Sequence, residues 1–444
     1  MLPRNINILF IAIGVSMLCY ATAARARRAI IVGEAITLID EFYVDPVDDQ
    51  ALVEAAMTGL TSKLDEHSEF IPPRMYSVFK DVIEQEFAGV GILVEQPKKL
   101  EPVRVRTPLV GSPALDAGLL PGDEIIKVNG EDVSRMEIGD VSNRLRGPLD
   151  TELTVTVRRS EDTTDPRELD IVLKRQTIEL ESVTGDHRDE ENRWVYRLKS
   201  NPEIAYVRLT SFGEKTVREL KNVLLKLDNK YESLILDVRA NSGGLLNAAV
   251  DVCDDFLDSG SIVTIKRRGG EIDSEFQATP GTLVRMEIPI VVLIDGNSAS
   301  ASEIVAACLQ DHDRATIVGS RSFGKGTVQN VLSLDYGRSA LKLTTARYYR
   351  PNGHNIHRLP DATPEDEWGV SPDDENRVTI DDETYIKLIQ QWERTTYPIT
   401  KAANMPPPTA PDAIVNDVQL ERAIEVLKAP AASQSAENEG RKAA

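Results

Sequence analysis

The stretch Ile290-Val-Val-Leu-Ile-Asp-Gly-Asn-Ser-Ala-Ser-Ala-Ser-Glu303 decides the fold class of this 444-residue chain. It begins with a continuous apolar run, Ile290 to Ile294, which is typical of a β-strand covered on both faces. It ends with Ser300-Ala-Ser-Glu303, a capping box in which a serine begins a helix and a glutamate follows three residues later. A buried strand that leads into a helix is the repeating unit of an α/β domain.

Strand and helix patterns alternate on both sides of this stretch, which extends the α/β prediction over residues 176–395. A second continuous apolar run, Leu234-Ile-Leu-Asp-Val-Arg239, predicts another buried strand. Helical spacing of apolar residues predicts helices at Thr216 to Leu227, Leu246 to Leu257 and Ala301 to Gln310.

Residues 29–83 carry apolar side chains at helical spacing and predict a small N-terminal helical segment. Pro46, among neighbouring aspartates, divides the pattern into two helices. The pair Pro72-Pro73 predicts the end of the segment.

Residues 84–175 change character to short β-like runs separated by turns. Asn129-Gly130 is a strong tight-turn dipeptide, and Leu153 to Arg158 alternates as a half-buried strand should. At about 90 residues, this region has the size of a compact module.

The C-terminal region, residues 396–444, predicts little fixed structure. Met405-Pro-Pro-Pro-Thr-Ala-Pro411 is a stiff linker, and Val418 to Leu427 has the pattern of a short helix. From Ala429 the sequence is of low complexity, which predicts a disordered tail.

The first 28 residues predict export from the cytoplasm. A short basic start precedes an apolar run from Ile6 to Ala24, and Ala21-Thr-Ala23 is typical of a signal-peptide cleavage site. The run is also close to the ~20 residues that span a bilayer, and the arginines that follow it oppose translocation of that flank. A cleaved signal and an uncleaved membrane anchor both stay open, and either predicts a periplasmic or exported protein.

Overall charge excludes one class of partner. The chain has 51 basic and 71 acidic side chains and a net charge of −20. Such a charge repels nucleic acid and anionic membrane surfaces. We therefore expect no nucleic-acid partner. Cys253 and Cys308 lie in apolar, helix-like stretches and are expected to be buried thiols rather than a disulfide.

Ser300 and Lys325 are the candidate catalytic pair. A serine hydroxyl attacks a carbonyl poorly until a base takes its proton, and a neutral amine can do this as well as an imidazole can. A serine at a strand-to-helix junction lies at an exposed sheet edge, where neighbouring N–H groups point towards negative charge. Ser298 and Ser302 are rivals for the role of nucleophile, and chemistry alone leaves that choice open.

Lys325 has a competing interpretation as part of a phosphate-binding loop. Gly319-Ser-Arg-Ser-Phe-Gly-Lys325 has the glycine spacing of a P-loop, but Gly326 replaces the magnesium-binding Ser or Thr. The next residues, Thr327 to Leu332, also read as a strand and not as the helix that such a loop requires. As a base, Lys325 must be neutral near pH 7, and burial can lower the pKa of an amine by about 3–5 units.

A glycine turn follows the strand at Leu234. Leu236-Asp-Val-Arg-Ala-Asn-Ser-Gly-Gly-Leu245 can direct N–H groups at a developing oxyanion, and one such donor is worth about 3–4 kcal/mol in a serine protease. A simple strand-to-helix turn is the alternative.

The histidines are weaker candidates than Lys325 for the base, and their spacing does not predict a metal site. His354 and His357 have the spacing of a ligand pair, but no third ligand accompanies them, and we expect an exposed loop. His312 is expected at the C-terminal end of the helix that begins at Ser300. The sequence thus predicts neither a metal nor an organic cofactor.

The β-rich module resembles a PDZ domain. Its most specific stretch is Gly111-Ser-Pro-Ala-Leu-Asp-Ala-Gly-Leu-Leu-Pro-Gly-Asp-Glu-Ile-Ile-Lys-Val-Asn-Gly130, and Gly89-Val-Gly-Ile92 stands where the family has its carboxylate-binding loop. The resemblance implies that a peptide adds to the module as a strand. Its terminal carboxylate would then bind the N–H groups of Val90, Gly91 and Ile92.

From about Ile36 to Leu427, the chain resembles the C-terminal processing peptidases, also called tail-specific proteases. The stretches that carry the resemblance, besides the PDZ module, are Tyr43-Val-Asp-Pro46, Leu64-Asp-Glu-His-Ser68, Asp237-Val-Arg-Ala-Asn-Ser-Gly-Gly244, Ser298-Ala-Ser-Ala-Ser-Glu303, Gly319 to Gln329 and Thr344-Thr-Ala-Arg-Tyr-Tyr-Arg-Pro351. Departures from the family pattern are Ala240 and Ser242 in the glycine turn and an acidic insert around Arg358 to Trp368. The insert affects local substrate contacts and not the chemistry.

The resemblance implies roles for individual residues. Ser300 would be the nucleophile, Lys325 the base and Gln329 its supporting residue. Four residues of straight strand would separate Lys325 from Gln329 by ~13 Å, so the chain must bend near Gly326 if the two are to interact. The oxyanion donors would be the N–H of Ala301 and of Gly243 or Gly244.

The fold implied is a multi-domain α/β protein, with an α/β sandwich peptidase core, an inserted β-rich PDZ domain and an N-terminal helical segment. The function implied is a serine endopeptidase that cleaves protein or peptide substrates near their C-termini, with the PDZ domain binding the free C-terminal tail. The alternative is a PDZ-type binding or scaffold protein with an inactive hydrolase domain. The sequence leaves open whether the chain forms a homo-oligomer or needs an activating partner.

Overall fold

The computed structural model describes residues 13, 30–159, 167–363, 365–398 and 415–429. The predicted signal or anchor over residues 1–28 therefore lies outside the described residues except for Ile13, and so does the predicted linker. The chain falls into two compact units, residues 1–78 with 328–345 and residues 79–327 with 346–444.

The helices of the described residues are α1 (residues 30–42), α2 (Asp49–Thr61), α3 (Pro73–Glu84), α4 (Pro113–Asp116), α5 (Ile138–Leu145), α6 (Thr216–Leu227), α7 (Leu246–Asp254), α8 (Ala301–Asp311), α9 (Asp382–Thr395) and α10 (Val418–Lys428). The strands are β1 (Glu69–Ile71), β2 (Glu86–Gly89), β3 (Ile92–Glu95), β4 (Val103–Pro108), β5 (Glu124–Val128), β6 (Glu131–Asp132), β7 (Glu152–Arg159), β8 (Arg167–Lys174), β9 (Gln176–Glu179), β10 (Val183–Thr184), β11 (His187–Arg188), β12 (Trp194–Val195), β13 (Ile204–Leu209), β14 (Ser233–Asp237), β15 (Ser261–Lys266), β16 (Ile272–Gln277), β17 (Ile290–Ile294), β18 (Thr316–Gly319), β19 (Thr327–Leu334) and β20 (Ser339–Tyr349).

The first unit contains α1, α2, β1 and residues 328–345 of the hairpin of β19 and β20, whereas the end of β20 from Ala346 belongs to the second unit. Strand β1 pairs antiparallel with β20, with Phe70 opposite Leu341. No local pattern predicts β1, because its partner lies far along the chain. The prolines also differ from their predicted role. Pro73 is the first residue of α3 and does not end the helical region, since the first helical position needs no N–H.

A mostly parallel sheet forms the centre of the second unit. Its strand order is β10-β13-β14-β17-β18, and the last four strands run parallel. Strands β13, β14 and β17 are buried along their whole length, and continuous apolar runs predicted this for β14 and β17. Because these strands are parallel, their carboxyl ends meet at one edge of the sheet, where α/β proteins place their sites.

The PDZ-like module is a separate sheet within the second unit. Its strand order is β3-β4-β5-β7-β8, and β6 pairs with β5. Its core is apolar and includes Val105, Ile125, Leu153 and Val157. Strand β3 lies at the edge of this sheet, so one side of its backbone has no neighbouring strand among the described residues.

Helix α10 packs against the central sheet. Ala423 is fully buried in a cluster with Ile235 and Val291, and Leu420 and Ile424 pack against the same cluster. The predicted short C-terminal helix is therefore an integral part of the core. Among the helices in the described part of the chain, none combines the length and the hydropathy needed to cross a membrane.

Together these elements confirm the predicted multi-domain α/β fold.

Candidate active site

Three segments that the sequence singled out meet at the carboxyl edge of the central sheet. The glycine turn follows β14, the serine segment follows β17, and the lysine segment follows β18. All three lie in the second unit. Parallel strand pairing in register, with Asp237 opposite Leu293 and Ile294 opposite Gly319, brings these strand ends side by side.

Ser300 stands at the N-cap of α8 in an unusual backbone conformation. Its φ is 57° and its ψ is −113°, a region that residues other than glycine rarely enter. The residue is half-buried. Such a conformation persists only when the surroundings enforce it, and strained residues of this kind cluster at functional sites.

The two rival serines are fully buried. Ser298 and Ser302 each have 0% exposure. The hydroxyl of Ser298 donates to the Val238 carbonyl at 2.9 Å, and that of Ser302 donates to the Asn241 carbonyl at 2.8 Å. Of the three serines, only Ser300 is open to a substrate.

The buried carboxylate of Glu303 joins the serine segment to the lysine segment. Its Oε2 accepts the N–H of Ser300 and the N–H of Lys325, both at 2.8 Å. Its Oε1 accepts the Ser322 hydroxyl at 2.6 Å and the Gly324 N–H at 2.7 Å. Burial raises the pKa of this carboxyl, although the four donors oppose the rise. The capping box predicted the first contact, but no sequence signal predicted the bond to Lys325.

Tyr348 forms a second link between the two segments, and sequence reasoning missed it. Its hydroxyl lies 3.2 Å from the Ser300 carbonyl oxygen and also contacts the Lys325 carbonyl oxygen. The side chain is buried, and burial raises the pKa of its hydroxyl well above the usual value. The phenol therefore stays protonated and can donate. The only available signal was its place in the Thr344 to Pro351 stretch.

Lys325 is half-buried, and its flanking glycines allow close packing on both sides. A Cβ on Gly324 would lie 2.8 Å from the Cβ of Arg358, and one on Gly326 would lie 2.5 Å from the N of His357. The Arg358 N–H donates to the Gly324 carbonyl at 2.8 Å. The start of the acidic insert thus supports the backbone on either side of Lys325.

Gln329 lies in β19 and belongs to the first unit. Its amide donates to the hydroxyl of Thr344 at 3.1 Å. The expected support of Lys325 by Gln329 stays a prediction.

The glycine turn packs directly against Ser300. A Cβ on Gly243 would lie 2.8 Å from the Ser300 Cβ and 2.9 Å from the Ala301 N. The Gly243 N–H already donates to Asn241 Oδ1 at 2.9 Å, whereas no acceptor within the described residues takes the N–H of Gly244. Of the two glycines, Gly244 is therefore the one whose N–H is available to an oxyanion.

In the predicted carboxylate-binding loop of the PDZ-like module, the backbone carbonyl groups accept hydrogen bonds from the rest of the module. The Val90 carbonyl accepts the Ala114 N–H at 3.0 Å, and the Gly91 carbonyl accepts the Leu109 N–H at 2.9 Å. A Cβ on Gly91 would lie 2.3 Å from the Ser112 Cβ, so only glycine fits there. In the part of the chain that the structure describes, the N–H groups of Val90 and Gly91 have no backbone or side-chain acceptor. Ile92 begins the edge strand β3.

The histidines and cysteines occupy the expected positions except for His357, which is half-buried and not exposed. His354 is exposed and contacts Glu367 at 3.1 Å, and His312 is the C-cap of α8. No group of three acidic, histidine or cysteine ligands occurs in residues 30–159, 167–363, 365–398 and 415–429. Cys253 and Cys308 are free and buried.

Comparison with known proteins identifies the class. Residues 203–375 match Peptidase family S41, and residues 104–159 match the PDZ domain. The chain belongs to Peptidase family S41, a family of serine peptidases, and it carries a PDZ domain.

The relatives are bacterial processing proteases. The chain is 38% identical over 332 residues to the carboxy-terminal-processing protease of Bartonella bacilliformis, an alignment that covers 74% of this chain and 72% of the relative. It is 32% identical over 326 residues to the carboxyl-terminal-processing protease of Synechocystis sp., with 72% and 73% covered. These matches confirm the resemblance to the C-terminal processing peptidases.

Among solved structures, the photosystem II D1 C-terminal processing protease is 29% identical to the chain. The match covers 79% of this chain and 92% of that chain, with a TM-score of 0.43.

Proposed function

We propose that the chain is a serine endopeptidase that cleaves protein substrates at or near their C-termini, with Ser300 as nucleophile and Lys325 as base. One observation carries the proposal. The same oxygen of Glu303 accepts the N–H of Ser300 and the N–H of Lys325, so the two backbone nitrogens lie within two hydrogen-bond lengths of each other. Both residues are also accessible, while the competing serines are not.

The proposed reaction begins when the neutral amine of Lys325 takes the proton from the Ser300 hydroxyl as its oxygen attacks the substrate carbonyl. The N–H groups of Gly244 and Ala301 stabilise the oxyanion, and the protonated lysine gives its proton to the leaving amine. A water molecule, deprotonated by Lys325, then attacks the acyl-enzyme, and the protonated lysine returns the proton to the Ser300 oxygen as the ester bond breaks and the acid product leaves. Gln329 would orient the amine of Lys325 in this scheme.

The PDZ domain is proposed to bind the substrate tail. A peptide would add to the open edge of β3, and its terminal carboxylate would accept the N–H groups of Val90, Gly91 and Ile92. The available N–H groups of Val90 and Gly91 support this part of the proposal.

The decisive experiment compares cleavage of an unstructured protein by the wild type, Ser300→Ala and Lys325→Ala, with Lys266→Ala as a control outside the site. We expect kcat to fall by at least about 1,000-fold in the first two variants and to stay unchanged in the control. Equal activity in all four proteins would contradict the proposal. Binding of C-terminal peptides without any cleavage would support the scaffold alternative.

The PDZ role has its own test. Substrates with a free C-terminus are expected to show a lower KM than the same substrates with an amidated C-terminus. Equal KM values for the two would remove the tail-binding role while leaving the catalytic proposal intact.

We also propose that the chain works outside the cytoplasm, on the support of its N-terminal sequence. Cell fractionation of a tagged chain tests this. Detection of the tag in the cytoplasmic fraction alone would contradict it.

A further inference from the structure

Arg239 is a fully buried cation at the start of the glycine turn. Its side chain has 0% exposure. Its Nη2 lies 2.7 Å from Oδ2 of Asp237, the last residue of β14. Burial of an arginine is stable only when every part of the guanidinium has a hydrogen-bonded partner.

The second partner of Arg239 comes from the C-terminal end of the described chain. Asp417 binds the guanidinium with both carboxylate oxygens, at 2.8 Å to Nη1 and 2.9 Å to Nη2. Gln419 adds a contact from its Oε1 to Nη1 at 3.1 Å. Two parallel bonds from one carboxylate fix the orientation of a guanidinium as well as its charge.

Three carboxyl groups, those of Asp417, Asp237 and Asp295, act on the buried Arg239. Arg208 lies 3.2 Å from Asp237 and stacks on the indole of Trp392, at 3.7 Å from the ring centroid. Arg208 and Arg239 are thus paired directly with Asp237 and Asp417, and Asp295 adds a third acidic group near Arg239. Burial raises the pKa of the Asp237 carboxyl, but Arg239 and Arg208 more than offset this and hold it at about 2. Loss of the Asp417 carboxylate would remove two direct bonds to Arg239, and breaking a buried ion pair from one side is strongly destabilising.

Arg239 directly precedes the residues of the glycine turn, and the next residues are fixed by short hydrogen bonds. Ala240 has a φ of 56°, and its N–H lies 3.1 and 3.0 Å from the two oxygens of Asp295. The Asn241 carbonyl accepts the N–H of Ala299, and the Asn241 side chain holds Gly243. A shift of Arg239 would therefore move the turn against the residue that precedes Ser300.

We propose that Asp417 is a positioning residue for the hydrolytic reaction. Helix α10, through Asp417, holds Arg239 and thereby the turn over residues 240–244, which carries the Gly244 N–H proposed to bind the oxyanion. This inference rests on the proposed function and extends the active site to a helix that lies beyond the three catalytic segments in the sequence.

The test is Asp417→Asn, with Glu421→Gln as a matched control. Asparagine caps a helix as well as aspartate does, so α10 keeps its N-cap while the charge is lost. Glu421 is an exposed acid in the first turn of the same helix. We expect kcat of Asp417→Asn to fall about tenfold or more, as for a weakened oxyanion site, with KM close to wild type and Glu421→Gln unaffected.

Amide hydrogen exchange of residues 238–245 gives a second readout that needs no activity. Exchange there is expected to be faster in Asp417→Asn than in the wild type or in Glu421→Gln, while exchange in the PDZ domain stays the same. Wild-type kcat and wild-type exchange in Asp417→Asn would overturn the inference. If the wild type cleaves nothing, the proposed function fails, and hydrogen exchange still tests the contact by itself.

If Asp417→Asn does not fold, Gln419→Met carries the test. This variant keeps both carboxylates and removes the contact of Gln419 to Nη1, together with the bond from Gln419 Nε2 to the Val378 carbonyl. A smaller fall in kcat with faster exchange over residues 238–245 is expected, and no change in either would contradict the role of α10.

Discussion

The serine–lysine junction and the glycine turn lie side by side, but they are stabilised in different ways. At the junction, one carboxylate three residues after Ser300 collects four donors from both segments. The glycine turn is held by Asp295, by Asn241 within the turn and, through Arg239, by Asp417. The junction is therefore built mainly from its own motifs, whereas the turn depends on residues far apart in the sequence.

This difference predicts how each region fails. Loss of the carboxylate at the junction is expected to separate Ser300 from Lys325. Loss of Asp417 is expected to let the turn shift without removing any proposed reacting group. Substitutions at the two regions should thus differ in the size of the kcat effect more than in KM.

The largest effect is expected where the two regions touch. In Gly243→Ala the new Cβ would lie 2.7 Å from the Ala299 carbonyl oxygen and 2.8 Å from the Ser300 Cβ, at a φ of +99°. We expect kcat to fall at least about 1,000-fold, because the oxyanion site and the nucleophile are both displaced. Gly281→Ala is the matched control, since Gly281 also has a positive φ, +104°, but open space around its Cβ. Equal kcat in both variants would show that close packing at Gly243 is irrelevant.

Glu303→Gln tests the junction alone. The amide offers one acceptor oxygen where the carboxylate offers two, and its NH₂ group would face N–H or O–H donors. We expect kcat to fall about 100-fold and the free energy of unfolding to fall by about 3 kcal/mol or more. Steady-state kinetics with chemical denaturation measures both, and a variant with wild-type kcat would contradict the linking role of this carboxylate.

Tyr348→Phe should have a smaller effect on the same junction. It removes the hydroxyl that contacts the carbonyls of Ser300 and Lys325, and leaves the Glu303 contacts in place. We expect kcat to fall about tenfold, the scale of one lost positioning contact. Tyr349→Phe, at the adjacent position, is the control and should keep wild-type kcat. A result in which both variants behave alike would remove Tyr348 from the site.

Asp255→Asn should change stability and not activity. Asp255 lies just after α7, its Oδ2 has no hydrogen-bond partner among the described residues, and burial raises its pKa to about 7. An acid with a raised pKa in the folded state loses stabilising free energy as the pH rises from its unfolded pKa towards 7. The wild type should therefore lose stability between about pH 4 and pH 7 relative to Asp255→Asn, with equal kcat. Parallel stability curves for the two proteins would contradict this assignment.

The same contrast explains what the sequence could predict. Helix and strand patterns were reliable where side chains repeat with a period, as in α6, whose predicted bounds Thr216 to Leu227 are those of the structure. The capping box located Ser300 and Glu303, because a cap is a local interaction. The bond from Glu303 to Lys325 could not be predicted, since it needs the parallel pairing of β17 with β18.

Long-range features account for the rest. Strand β1 was missed because its partner is β20, and Pro73 begins a helix where the proline pair was expected to end the helical segment. The sequence around Tyr348 and Asp417 does not indicate what their side chains contact. A tyrosine in a strand and an aspartate at a helix N-cap occur with many different partners. Chemistry alone left the choice among the three serines open, and the burial of Ser298 and Ser302 in the structure supports Ser300.

The central claim is that Ser300 is a nucleophile activated by Lys325, and covalent labelling tests it most directly. A fluorophosphonate probe reacts with activated serines, and peptide mapping by mass spectrometry locates the label. The account predicts labelling of Ser300 in the wild type and none above background in Lys325→Ala. Labelling of another serine, or equal labelling of Ser300 in Lys325→Ala, would contradict it.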